Sequence, residues 1–140
     1  MARILVIDDD QTVLDLEKLI LSQAGYEVLT EDNALRALDL LQLYDIDLII
    51  VDVHMPRFDG FQFVNTVRNN SELQQTAIAF LTASQQPDAV MRAAQLGADF
   101  YLSKTHREKN FSSAHRLVFR NTSTKNLLKG RISRSSKNRY

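Results

Sequence analysis

The 140-residue chain has no cysteine and no tryptophan, only two prolines and four glycines, and no net charge. Without cysteine, disulfides, thiolate metal ligands and thiol nucleophiles are excluded, and the composition suits a reducing compartment. No apolar run approaches the roughly 18–20 residues that a bilayer span requires. The N-terminal "MARILVIDD" lacks a signal-peptide layout, because its apolar run is short and ends in acids. The expected location is cytoplasmic.

What is present is one domain's worth of chain, 44% hydrophobic, enough for a real core. The zero net charge conceals an asymmetry. Residues 1–104 carry 7 Lys/Arg against 16 Asp/Glu, whereas residues 105–140 carry 10 Lys/Arg and a single acid, Glu108. This composition shift marks a boundary near Lys104 and Thr105.

Apolar runs of strand length alternate with stretches of helical period. The first strand is expected over residues 3–8. Asp10 then caps a helix over 12–24, with Val13, Leu16, Ile20 and Ala24 as its apolar face and Gly25 as its left-handed end. A second strand follows over 26–30. Asp32 or Asn33 caps a helix through Leu43, with Leu35, Leu38 and residues 41–43 as its apolar side. "DLIIVDV" (47–53) is apolar on both faces and suits the centre of a parallel sheet. A third helix spans 60–69, built on Phe61, Val64 and Val67 or Arg68. "AIAFLTA" (77–83) is the fourth strand, Pro87 opens a helix that Gly97 closes, and 99–102 is the fifth strand. The result is (βα) repeated five times, a doubly wound α/β domain.

Ligands in such sheets bind beyond the C-terminal strand ends. Those ends carry Asp8-Asp9-Asp10, Asp52, Thr82-Ala83 and Lys104. Converging carboxylates need a compensating charge, and with only oxygen ligands on offer Mg²⁺ is the natural cation. Lys104 adds a fixed positive charge and Thr82 a hydroxyl donor. Together these groups make a site for a phosphoryl group, with an ionised Asp as a possible nucleophile.

"VIDDD", "IIVDVHMPRFDG", "FLTAS" and "GADFYLSK" resemble, in order and spacing over residues 1–104, the signature segments of the response-regulator receiver domain of two-component signalling. That resemblance implies a flavodoxin-like fold with strand order 2-1-3-4-5 and a receiver domain over 1–120. Asp52 would be the phosphoacceptor for a histidine kinase, a phosphotransfer protein or a small phosphodonor. Asp8, Asp9, Asp52 and the His54 backbone carbonyl would hold Mg²⁺, with Asp8 acting mostly through water. Thr82 and Lys104 would each bind a phosphoryl oxygen. Thr82 and Tyr101 would form the switch that alters a protein-binding surface around the fourth helix and fifth strand. His54 and Ser84 would tune dephosphorylation. The expectation is a stand-alone phosphorelay regulator, monomeric or dimerising on phosphorylation, with an unidentified output protein. It would be no enzyme beyond its own phosphorylation and dephosphorylation.

Simpler readings apply to several neighbours. Asp10 is a helix cap rather than a metal ligand, and Asp59 shapes the turn at Gly60. Met55 is packing, Tyr101 can be read as sheet packing, and His54 is an exposed rim residue. Two alternative functions stand beside the receiver. One is a receiver-fold interaction module indifferent to phosphorylation, suggested by Thr105 where receivers usually have proline; a cis peptide there would cost about 3–4 kcal/mol. The other is a haloacid-dehalogenase-type phosphatase, whose D-x-D-x-T pattern Asp8, Asp10 and Thr12 satisfy. That reading lacks the acidic motif required after the lysine and leaves "MPRFDG" unexplained.

Residues 107–120 are expected to form an atypical, polar fifth helix, and 121–140 a basic, Ser-rich tail. The tail is too short for a DNA-binding domain and too polar for a membrane anchor. It reads as solvated chain, or as a contact for nucleic acid, an acidic partner or the chain's own acidic domain. Phosphate contacts made by it would weaken steeply with salt.

Overall fold

The aliphatic runs become strands and the periodic stretches helices, in the order expected. A computed structural model describes residues 2–83 and 86–103. It contains β1 (Arg3–Ile7), α1 (Gln11–Gln23), β2 (Glu27–Glu31), α2 (Ala34–Leu43), β3 (Leu48–Val51), α3 (Gly60–Arg68), β4 (Ala77–Thr82), α4 (Pro87–Gln95) and β5 (Phe100–Ser103). All strand pairs are parallel and the sheet order is β2-β1-β3-β4-β5. After β2 the chain crosses β1 to lay down β3 on its other side, so the topological switch point lies between β1 and β3. Ser84, Lys104, the expected fifth helix and the tail lie outside the described residues.

Strand residues alternate between two apolar layers, as the pleat dictates. Leu5, Ile7, Ile49, Val51, Ile78 and Phe80 join residues of α2, α3 and α4 in one cluster. Ile4, Val6, Leu48, Ile50, Ala77, Ala79 and Leu81 face the other way, with Leu14 and Leu21 of α1. This double burial is why the central strands read as unbroken hydrophobic runs.

The helix faces depart from expectation in two places. Helix α1 buries Leu14, Glu17 and Leu21, while Leu16 is 37% exposed and Ala24 lies at the surface. The cap at Asp10 fixes where the helix starts, and that start sets which side meets the sheet. The acid at position 17 hid the Leu14–Leu21 stripe from a hydrophobicity reading. Similarly, α2 buries Ala34, Ala37 and Leu41, whereas Leu35 and Leu43 are exposed. Small alanines let α2 approach the sheet closely, and size rather than hydrophobicity selected its inner face. The third helix follows expectation, burying Phe61, Phe63, Val64 and Val67.

Helix ends match local chemistry. Asp10 accepts from the Thr12 amide, Asn33 from the amides of Leu35 and Arg36, and Gly25 and Gly97 take φ of 96° and 91°. Arg68, the last residue of α3, ties three segments together. Its guanidinium donates to the carbonyls of Gln74 (3.0 Å), Thr76 (2.7 Å) and Gly97 (3.0 Å), and pairs with Asp99 at 3.1 Å. Asp99 in turn accepts from the Ile78 amide at 2.8 Å. The pair is largely buried, so losing one partner strands the others. Arg68→Ala should lower stability by about 2–3 kcal/mol, read as a lower urea midpoint with an unchanged m-value.

Candidate functional site

The parallel ladder sets Ile7 opposite Val51 on adjacent central strands. The next residues, Asp8 and Asp52, therefore leave the sheet side by side at the switch point. The Asp52 amide donates to the Ile7 carbonyl at 3.0 Å and the Asp8 amide to the Glu31 carbonyl at 3.2 Å, so sheet-like bonding extends one residue past each strand. Carboxylate oxygens of Asp8, Asp9 and Asp52 lie within 4.8 Å of one another. Asp8 and Asp52 are buried and Asp9 is exposed.

Local bonds orient these acids. One Asp8 oxygen accepts from the Asp10 amide at 2.9 Å, and Asp10 itself caps α1. The Asp52 Oδ1 accepts from the His54 amide at 3.3 Å. A cluster of carboxylates only, two of them shielded from water and one open to it, fits a hard divalent cation that keeps some of its own waters. Among the described residues the cluster contains no soft or imidazole donor, and the His54 side chain is exposed.

The remaining expected residues occupy the same edge of the sheet or lie outside the described residues. Thr82, fully buried, ends β4 opposite Ser103. Tyr101 is half-buried and pairs in register with Phe80, its ring 6.1 Å away. Phe80 in turn makes a tilted ring contact with Phe61, centroids 5.4 Å apart. Met55 is buried as packing, and Asp59 caps α3 rather than joining the acid cluster. Ser84 and Lys104 lie outside the described residues.

Two features escaped the sequence reading. Asp59 and Gln62 form a reciprocal capping box, a D-x-x-Q spacing that was visible but not used. Gly60 is the other. Its amide donates to the Val53 carbonyl at 2.9 Å, and a Cβ there would collide with the Asp52 carbonyl oxygen and stand 2.9 Å from its carbonyl carbon. Only glycine lets α3 begin against the backbone that carries Asp52.

Comparison with known proteins agrees with this geometry. The family model described as the response regulator receiver domain matches residues 4–116. The chain is 33% identical to the sensory transduction protein BceR of Halalkalibacterium halodurans over 104 residues, 74% of this chain and 44% of that protein. It is 31% identical to the cell cycle transcriptional regulator CtrA of Caulobacter vibrioides over 119 residues, 84% of this chain and 51% of that one. The chain thus spans about half the length of these curated relatives, or less. Among solved structures it is similar to the chemotaxis protein CheY4 of Vibrio cholerae. The TM-score there is 0.77 at 33% identity, covering 85% of this chain and 99% of that one.

Gly60→Ala should therefore act on the acid cluster as well as on stability. The expected loss is about 2–3 kcal/mol, with Mg²⁺ affinity, measured by titration calorimetry, reduced at least about tenfold.

Proposed function

The chain belongs to the response regulator receiver domain family, and from that membership we propose that it accepts a phosphoryl group on Asp52 and signals through a change in its protein-binding surface. The observation that carries this reading is the convergence of Asp8, Asp9 and Asp52 at the switch point, with carboxylate oxygens within 4.8 Å.

Asp8, Asp9 and Asp52, with the His54 backbone carbonyl, would hold Mg²⁺. Bound there, the ion would supply positive charge that offsets the carboxylates and favours approach of a phosphoryl group. Asp52 is the nucleophile. One carboxylate oxygen forms a bond to phosphorus as the donor's bond to phosphorus breaks. The bond electrons leave with the donor, either a carboxylate from an acyl phosphate or an imidazole nitrogen that then takes a proton. The bond from the His54 amide to Oδ1 orients the carboxylate, and the Thr82 hydroxyl and the Lys104 ammonium each serve one phosphoryl oxygen. His54 and Ser84, each two residues beyond a reacting residue, govern water access and hence the lifetime of the phosphoryl group.

Output follows from the same atoms. Drawing Thr82 toward the phosphoryl group opens space that Tyr101 fills by shifting against Phe80, which changes the surface of α4 and β5. The partners are a histidine kinase or phosphotransfer protein on the input side and a protein on the output side. No substrate other than its own phosphoryl group is turned over.

Incubation with acetyl phosphate and Mg²⁺ should label the wild-type protein on a single residue, and Asp52→Asn should abolish labelling while leaving the circular dichroism spectrum unchanged. A folded wild type that binds Mg²⁺ yet takes no label would replace this reading with a receiver-fold interaction module.

A further inference from the structure

The loop between Asp52 and α3 contains a strained turn. The Phe58 amide donates to the Pro56 carbonyl at 2.8 Å, a bond spanning only two residues, and the central residue, Arg57, has φ of 69°. This is a γ-turn of the positive-φ hand, which is rare and strained for any residue with a Cβ. Glycine or asparagine would relieve it. The chain places arginine there instead.

The turn is fixed on both sides. Met55 is buried, Phe58 packs against the core, and Asp59 caps α3 through its box with Gln62. Arg57 is exposed at the apex of this fixed frame, so its charge is presented from a backbone that does not wander. Five arginines fall among the described residues. Arg3, Arg36 and Arg68 form ion pairs at 3.1, 2.9 and 3.1 Å, and Arg92 lies 4.4 Å over the Phe61 ring. Arg57 alone makes no ion pair, hydrogen bond or ring contact among the described residues. It is also the only Lys or Arg on the described loops at this end of the sheet, where Asp8, Asp9, Asp10, Asp32, Asp52 and Asp59 lie.

A phosphodonor arrives as a dianion and must enter a crevice lined with like charge. An uncommitted guanidinium on the loop that follows Asp52 raises the local concentration of such an anion. We propose that Arg57 is a positioning residue that draws the phosphoryl dianion of a small acyl phosphate to the Asp52 site. The inference rests on the proposed phosphorylation of Asp52.

The test measures second-order labelling by acetyl phosphate at fixed Mg²⁺ for wild type, Arg57→Asn and Arg57→Lys. Asparagine suits the turn, so the first variant keeps the fold and its unfolding midpoint should rise by about 3–6 °C. Losing one charge that attracts a dianion corresponds to an expected three- to fivefold slower labelling at about 20 mM salt. That difference should shrink below about twofold near 0.5 M, where the Debye length is only a few ångströms. Arg57→Lys should label at close to the wild-type rate, and the phosphoryl half-life should be the same in all three. Equal rates for wild type and Arg57→Asn at low salt would overturn the inference, as would a defect that ignores salt or one that lysine shares. A wild type that takes no label at all would instead overturn the phosphorylation reading on which it depends.

Discussion

Mutual repulsion between Asp8 and Asp52 is the constraint around which the rest of the site is arranged. Two unit charges about 5 Å apart repel by about 3 kcal/mol at an effective dielectric of about 20, a large share of the about 5–15 kcal/mol that keeps a typical domain folded. Both residues are buried, so water alone does not dissipate the cost. The sheet nevertheless holds them together, because the register of β1 on β3 leaves no freedom to separate them. Burial and register favour positive charge beside them, and an all-carboxylate donor set suits a hard cation. The site is in this sense a defect that the most rigid part of the fold maintains.

Maintaining it requires the flanking loops to be as well determined as the strands. On the Asp8 side, the Asp10 amide donates to one Asp8 oxygen while the Asp10 side chain starts α1, so one short segment orients an acid of the cluster and starts a helix. On the Asp52 side, the missing Cβ of Gly60 lets α3 begin against the Asp52 carbonyl, and the capping box locks that start. The γ-turn at Arg57 lies between these fixed points. Its strain is tolerated because Met55 and Phe58 are anchored on either side, so the surrounding packing over-determines the turn.

The order of the elements and the identity of the strand-end acids were legible because they depend on local rules. Short apolar runs in a parallel sheet, a capping Asp10, left-handed Gly25 and Gly97 and an opening Pro87 each announce themselves within a few residues. The inner faces of α1 and α2 were not legible, since they depend on how the chain leaves the preceding strand. Glu17, fully buried between Leu14 and Leu21, is the sharpest case: a charge on the core face inverts the pattern that a hydrophobicity reading relies on. Alanines at 34 and 37 misled in the other direction, because close approach favours small side chains over the large Leu35 that stays outside. At the site, the acids could be listed from strand ends alone. The role of Gly60 could not, because it is defined by a backbone more than five residues away.

The helices are not held equally, and this bears on how a change at Asp52 travels. Helix α3 buries five residues and carries a full capping box, whereas α4 buries only Ala93, has no side-chain cap and leaves Val90 and Met91 exposed. Between them Arg92 lies over the Phe61 ring, a contact worth about 0.5–1 kcal/mol in an exposed setting. Phe61 follows Gly60 directly and makes a tilted ring contact with Phe80, which in turn contacts Tyr101. A ligand shifts a conformational equilibrium only as far as its differential contacts allow. A few hydrogen bonds gained by a phosphoryl group would not move α3, whose displacement would open the core. They suffice for an element with one buried residue, the partly buried Ala89 and Leu96 against the core, and one cation–π contact. If Asp52 is phosphorylated as proposed, α4 and the Tyr101 side of β5 are therefore the surface expected to respond.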